Sequence, residues 1–122
     1  MQVPSLGKTG GIPVTVIEHT RSDVVILEPR ASITAETEVE LATVVKRHLN
    51  EGHLHLVLDL ALVPYVDSCG LGRIVQGYVS ARRLGGWLKV MNATERVQQQ
   101  LTVTRLAQIL ETYHPSAHAM GA

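Results

Sequence analysis

Residues 54–79 read LHLVLDLALVPYVDSCGLGRIVQGYV, and this stretch joins a strand pattern to a helix pattern. Leucines at every second position from Leu54 to Leu60 predict a β-strand with one strongly apolar face. Beyond the loop, apolar residues recur at the spacing of an amphipathic helix, namely Leu71, Ile74, Val75, Tyr78 and Val79. Ser68 therefore falls at the predicted start of a helix that follows the strand closely.

Ser68 is of a residue type that commonly caps helices. Its hydroxyl could accept a hydrogen bond from an unpaired backbone N–H of the first turn. Gly70 and Gly72 keep the neighbouring side chains small, so another molecule could approach the start of the helix. Two interpretations stay open from the residues alone: a plain N-cap, or a serine with a function of its own.

The composition excludes several classes of partner. The 122 residues carry 11 basic and 11 acidic side chains, and this balance gives no electrostatic footprint for nucleic acid or for an anionic membrane. With no Phe, one Trp and three Tyr, a base-stacking surface is not expected either. The sequence shows no signal peptide and no stretch of about 18 apolar residues that could span a membrane. The lone Cys69 fits a reducing compartment, so we expect a cytoplasmic chain whose partner is a protein.

The length predicts one domain, with residues 13–112 forming the folded part. After a flexible lead (1–12), we expect a hairpin of strands 14–18 and 24–27 around Arg21-Ser22-Asp23, and then a helix (35–50) ended by Gly52. The strand 54–60, a helix (69–83) and a strand (87–91) after Gly85-Gly86 follow. Short helices near 94–101 and 104–112 and a flexible tail (113–122) complete the chain. In the first helix, Glu36, Glu38 and Glu40 would lie toward the positive end of the helix dipole.

This order of elements predicts an α/β fold. We expect a mixed β-sheet of four to five strands, with about four helices packed mainly on one face and parallel strands joined by right-handed crossovers. The loop that contains Ser68 then lies at the carboxyl edge of a strand. Functional sites of open α/β sheets tend to lie at that edge, which favours a role for Ser68 beyond capping.

These features together strongly resemble the STAS domain of bacterial anti-sigma factor antagonists. The resemblance is carried by Leu58-Asp59-Leu60, by Val63-Pro64-Tyr65-Val66-Asp67-Ser68-Cys69-Gly70-Leu71-Gly72, and by their distance from Gly85-Gly86. On the family pattern, Ser68 matches the serine that is phosphorylated by a partner kinase, which is also the anti-sigma factor. The resemblance implies that the unphosphorylated chain binds this kinase and frees the sigma factor, whereas phosphorylation inactivates the chain and a phosphoserine phosphatase restores it.

The resemblance also implies a set of site residues. The partner-binding residues would be Asp67, Ser68, Cys69, Gly70, Leu71 and Gly72, and the supporting residues would be Asp59, Ser32 and Thr34. The chain would be a substrate and not an enzyme, with no cofactor or metal of its own, because ATP arrives with the kinase. One segment departs from the family pattern: residues 29–34 lack the usual Gly and Asp, and Ser32 or Thr34 takes the place of the acid.

Other residues in the sequence suggest different kinds of site. Six histidines suggest a metal site, but neither His53 with His55 nor His114 with His118 has a complete ligand set in the sequence, so we expect surface histidines without a metal. Cys69 has no resolving cysteine and is expected to fill a turn. A hydrolase with Ser68 as nucleophile is disfavoured because Val66 replaces the first Gly of the Gly-x-Ser-x-Gly motif.

Two other functions remain possible for the same fold. The first is a non-switching scaffold or transporter-accessory protein that docks through the Ser68 loop. The second is a ligand-binding module that uses the edge of the sheet as a pocket.

Overall fold

The computed structural model describes residues 12–14, 16–34, 37–39 and 41–113. Within these ranges the elements are β1 (Ile12–Val14), β2 (Val16–Arg21), β3 (Val24–Pro29), β4 (Thr37–Val39), α1 (Leu41–Asn50), β5 (His55–Asp59), α2 (Ser68–Arg83), β6 (Trp87–Met91) and α3 (Glu95–Val103), followed by one turn of 3-10 helix (Leu106–Gln108). None of the described helices is long and apolar enough to cross a membrane.

A four-stranded mixed sheet in the order β2-β3-β5-β6 forms the centre of the fold. The first two strands are the predicted hairpin: β2 and β3 run antiparallel, and Ser22 adopts a left-handed φ of 60° in the tight turn between them. The pairs β3 with β5 and β5 with β6 are parallel. The predicted mixed α/β sheet is therefore confirmed.

The main core lies between the sheet and the three α-helices. Leu56 and Leu58 of β5 are fully buried there, as the alternating leucines predict. Val57 points to the other face, where it is also fully buried and packs with Val24, Ile26 and Tyr113. The buried apolar side chains of the α-helices belong to the first cluster, so the helices cover mainly one face of the sheet.

The first helix is shorter than the sequence predicts. It begins at Leu41 and not near residue 35, because Thr37–Val39 pairs as a parallel strand with Ile12–Val14. Two β-branched residues, Thr37 and Val39, favour that extended conformation. Glu38 consequently lies in β4, the first turn of α1 has no acidic residue, and Glu36 and Glu40 lie outside the described residues.

The predicted last helix, residues 104–112, is largely absent. Arg105 adopts a left-handed φ of 66°, which breaks the helical path after α3, and only Leu106–Gln108 forms a 3-10 turn. Thr112 then forms an isolated parallel bridge with Val90 of β6. The predicted lead and tail lie outside the described residues, except for Ile12, which belongs to β1, and Tyr113, whose N–H donates to the carbonyl of Val90 over 2.7 Å.

Candidate functional site

The loop between β5 and α2 lies against the segment that follows β3. The N–H of Ile33 donates to the carbonyl of Tyr65 over 3.2 Å, and the N–H of Asp67 donates to the carbonyl of Ile33 over 3.1 Å. Ile33 and Val66 form an isolated parallel bridge and are both fully buried. This bridge brings residues 30–34, and with them Ser32 and Thr34, alongside the approach to Ser68.

The helix cap is Asp67 and not Ser68. Asp67 has extended backbone angles, and its carboxylate accepts a hydrogen bond of 2.9 Å from the N–H of Gly70. Ser68 is the first residue of α2, one position past the cap, and it is exposed. The interpretation of Ser68 as an N-cap is therefore wrong, because the carboxylate before it already accepts the first-turn N–H. Within the described part of the chain, the Ser68 hydroxyl has no hydrogen-bond partner.

The two glycines of the motif have different surroundings. A Cβ on Gly70 would lie 2.1 Å from the carbonyl oxygen of Ile33 and 2.6 Å from a methyl group of Val66, so only glycine fits there. A Cβ on Gly72 would meet nothing within 4 Å. At Gly70, the group that approaches closely is the backbone of Ile33 in the same chain and not another molecule. Only Gly72 leaves open surface near Ser68.

Helix α3 holds the Ser68 loop through one side chain that the sequence-based prediction missed. The side-chain oxygen of Gln100 accepts from the N–H of Val66 over 3.0 Å, and its amide nitrogen donates to the carbonyl of the same residue. Gln100 follows Val97 by three positions and precedes Leu101, both of which are buried. A glutamine within this inward-facing stripe was a signal that its amide has an internal partner.

An open groove of about 580 Å³ runs between the start of α2 and α3. It is lined by Val66, Asp67, Ser68, Leu71, Arg96, Gln99, Gln100, Val103 and Thr104. On the α3 side, Val103 is 81% exposed, and the guanidinium of Arg96 lies 4.7 Å from the centre of the Tyr65 ring. The described lining contains no histidine.

The other predicted site residues fall at different places around the loop. Cys69 is exposed with a free thiol, and Leu71 is half-buried on the groove wall. Asp59 ends β5, where its carboxylate accepts from the N–H of Ala61 over 3.1 Å and from the side-chain amide of Asn92 over 3.2 Å. Asp59 therefore shapes the start of the loop and ties it to the end of β6.

Comparisons with known proteins agree with this arrangement. The sequence pattern of the STAS domain matches residues 15–119. A Thermotoga neapolitana protein described as the homologue of a candidate anti-sigma factor antagonist is 31% identical over 109 residues, covering 88% of this chain and 93% of the relative. The crystal structure of a candidate anti-sigma factor antagonist from Thermotoga maritima superposes with a TM-score of 0.72 at 29% identity, covering 87% of this chain and 92% of the other.

A third comparison concerns the fold alone, because the identity is only 9%. The Bacillus cell fate determinant SpoIIAA, in its phosphorylated form, gives a TM-score of 0.65 and covers 86% of this chain and 96% of that one. The family pattern spans most of the chain, and the T. neapolitana relative is matched over nearly its whole length. This chain belongs to the STAS domain family, in the group that includes the anti-sigma factor antagonists.

Proposed function

We propose that this protein is an anti-sigma factor antagonist controlled by phosphorylation of Ser68. In its unphosphorylated form it binds a kinase-type anti-sigma factor through the Ser68 loop and the adjoining groove, and so releases a sigma factor for transcription. The kinase transfers the phosphoryl group of its own ATP to Ser68, which inactivates the antagonist, and a phosphoserine phosphatase restores it. The chain acts in the cytoplasm as the substrate of the kinase, and the phosphorylation requires no cofactor bound to the chain itself.

The observation that carries this proposal is that Ser68 is exposed while the neighbouring residue, Asp67, caps helix α2. Because Asp67 supplies the cap, the fold does not require the hydroxyl of Ser68 for that purpose. An exposed hydroxyl at the rim of a groove is accessible to a kinase that docks there. Phosphorylation of Ser68 would therefore not remove a hydrogen bond that caps the helix.

The fold is expected to tolerate the phosphate. A phosphoserine adds about −1.5 to −2 charges and three acceptor oxygens. At the first position of α2, the partial positive charge of the helix N-terminus would favour this anion by about 0.3–1 kcal/mol. SpoIIAA shows that a protein of this fold exists in a phosphorylated form.

The phosphate is expected to act on the interface with the partner. It would place a doubly charged group next to the Asp67 carboxylate, on a surface where Leu71 and Val103 offer apolar contacts. A partner that packs there must then desolvate the phosphate and meet like-charge repulsion. A cost of about 3 kcal/mol would weaken binding roughly a hundredfold.

A second candidate function uses the same surface without the switch. Residues 29–34 carry no carboxylate beside the Ser68 loop, where members of the family usually have one, and this favours a chain that docks constitutively as a scaffold or transporter accessory. The two functions differ in one measurable step, the transfer of phosphate to Ser68.

A phosphorylation assay on the full chain tests the proposal. Incubation with its cognate anti-sigma kinase and MgATP should add one phosphate per chain, and Ser68→Ala should add none. Ser22→Asn is the matched control, because Ser22 is also exposed and asparagine tolerates its left-handed φ. Modification of Ser68→Ala to the wild-type level would contradict the site, and an unmodified wild type that still binds the kinase would favour the non-switching function.

A further inference from the structure

The end of α1 forms a turn that brings two histidines together. Gly52 adopts a left-handed φ of 88°, its N–H donates to the carbonyl of Leu49 over 3.1 Å, and the N–H of His53 donates to the carbonyl of His48 over 2.9 Å. These two hydrogen bonds define a Schellman motif, which places the side chain after the glycine against the side chain one turn back in the helix. In this motif the contact is frequently apolar, but here it joins His53 to His48.

The two imidazoles face each other through the same type of nitrogen. The Nδ1 atoms of His48 and His53 lie 3.0 Å apart, and the ring planes are tilted by 41°. The carboxylate of Glu51, between them in sequence, has its Oε1 atom 3.8 Å from Nδ1 of His53. The ligand atoms of all three residues lie within 4.8 Å of one another.

The carboxylate of Glu18 on β2 fixes the orientation of the His48 ring, which is the buried member of the cluster. Nε2 of His48, which is only 6% exposed, lies 2.9 Å from the Glu18 carboxylate, and Arg47 holds the other oxygen of Glu18 at 2.7 Å. Nε2 of His48 is therefore directed at this carboxylate, and Nδ1 is the ring nitrogen that faces His53. In the tautomer that donates from Nε2 to Glu18, the lone pair of Nδ1 is available to a metal ion. A histidine that donates its other N–H to a carboxylate is the usual arrangement of a metal ligand.

We propose that His48, Glu51 and His53 bind a divalent transition-metal ion of the Zn²⁺ class at the end of α1. Zinc bonds of about 2.0–2.1 Å in a tetrahedral arrangement separate neighbouring ligand atoms by roughly 3.3 Å. Two of the three separations, 3.0 and 3.8 Å, bracket that value, and all three are at most 4.8 Å. The side chains of His53 and Glu51 are 47% and 52% exposed, so they can adjust to the ion, and a water molecule can take the fourth position.

The local charges favour a cation at this place. The carbonyls at the end of α1 carry the partial negative charge of the helix dipole. Glu51 contributes a full negative charge, and the positive charge of Arg47 is compensated by its ion pair with Glu18. Two neutral imidazoles and one carboxylate form a ligand set that suits zinc.

This site differs from the histidine pairs that the sequence suggests. Of the two pairs suggested there, His114 and His118 lie outside the described residues. In the other pair, His55 lies 3.1 Å from the carboxylate of Asp23 and stacks on Trp87. His48, a buried residue of α1, is the partner of His53 instead. The cluster precedes β5 and the Ser68 loop follows it, so the strand separates the two sites by about 15 Å at ~3.3 Å per residue. Metal binding should therefore stabilise the turn after α1 independently of the state of Ser68.

Titration of the full chain with Zn²⁺ after treatment with a chelator tests this site. We expect one ion per chain by calorimetry and a rise in melting temperature, since an ion that binds only the folded state stabilises it. His53→Ala and Glu51→Gln, which change exposed side chains, should each weaken binding by about tenfold or more without loss of fold. The control is His19→Gln, because His19 is an exposed histidine on β2 outside the cluster, and it should bind as the wild type does.

Substitution of Co²⁺ for Zn²⁺ should give the visible absorption of a tetrahedral site in the wild type, and this signal should be lost in His53→Ala. Absence of Zn²⁺ binding by the wild-type chain would overturn the proposal. Binding that persists unchanged in both His53→Ala and Glu51→Gln would place the ion elsewhere and would overturn it equally.

Discussion

The side-chain amide of Gln100 on α3 bonds to both backbone groups of Val66, in the loop that leads to Ser68. Val66 is fully buried, so without this side chain its N–H and carbonyl would need other partners in an apolar surrounding. The amide of Gln100 thus forms the two hydrogen bonds that a neighbouring β-strand would otherwise form with Val66. Together with the bridge to Ile33, it fixes the loop from two sides.

Removal of this amide should destabilise the protein. Gln100→Ala leaves two buried backbone groups without their partner, and we expect a loss of about 1–3 kcal/mol in the free energy of unfolding. Gln99→Ala is the matched control, because Gln99 is exposed on the same helix, and it should change stability by less than about 0.5 kcal/mol. Urea denaturation of both variants gives the comparison, and equal stabilities would show that Gln100 does not hold the loop.

The two glycines of the motif should respond in opposite ways to alanine. Gly70→Ala forces a Cβ to within 2.1 Å of the Ile33 carbonyl oxygen, and we expect a loss of about 3 kcal/mol or more, or failure to fold. Gly72→Ala has free space around the new methyl group and should raise stability by about 0.5–1 kcal/mol, because alanine favours a helix more than glycine. Thermal denaturation distinguishes them, and a stable Gly70→Ala would contradict the packing of α2 against Ile33.

Capping of α2 should depend on Asp67 and not on Ser68. Asp67→Ala removes the acceptor for the N–H of Gly70 and should lower stability by about 0.5–2 kcal/mol. Ser68→Ala removes an exposed hydroxyl that is not the cap and should stay within about 0.5 kcal/mol of the wild type. Circular dichroism melting curves test both variants. A larger loss in Ser68→Ala than in Asp67→Ala would restore the serine as the cap.

The groove wall on α3 should contribute to binding of the anti-sigma kinase. Val103 is 81% exposed beside Ser68, and Val103→Gln replaces apolar contact area with a polar side chain that still favours a helix. We expect binding about tenfold weaker, which corresponds to roughly 1.4 kcal/mol. Val79→Gln is the control, because Val79 is also exposed but lies on the groove between α1 and α2. Equal binding by the two variants would remove α3 from the docking surface.

Much of the fold follows from local patterns in the sequence. The alternating leucines of β5, the apolar stripe of α2 and the stop at Gly52 each encode their element without help from distant residues. The errors occurred where a distant segment decides the local structure. Residues 37–39 form a strand because Ile12–Val14 pairs with them, and the chain after α3 turns away so that Thr112 can reach Val90.

The site, like the fold, was predictable only where local sequence decides the structure. The order of residues locates Ser68 at the end of the loop, but two neighbouring residues, Asp67 and Ser68, were both able to cap α2, and only the backbone geometry distinguishes them. Gln100 and the contact between His48 and His53 depend on how a helix packs or ends in three dimensions. Spacing in the sequence suggested His55 as the neighbour of His53, whereas the turn at Gly52 brings His48 there instead.

The most direct test of the central claim is the affinity of the cognate anti-sigma kinase for the chain with and without phosphate on Ser68. Both forms should be prepared as full chains, and their melting temperatures should agree within a few degrees, because the helix N-terminus accommodates the phosphate. We predict that the unphosphorylated form binds the kinase and that the phosphorylated form binds about a hundredfold more weakly. Equal affinity of the two forms would contradict the account.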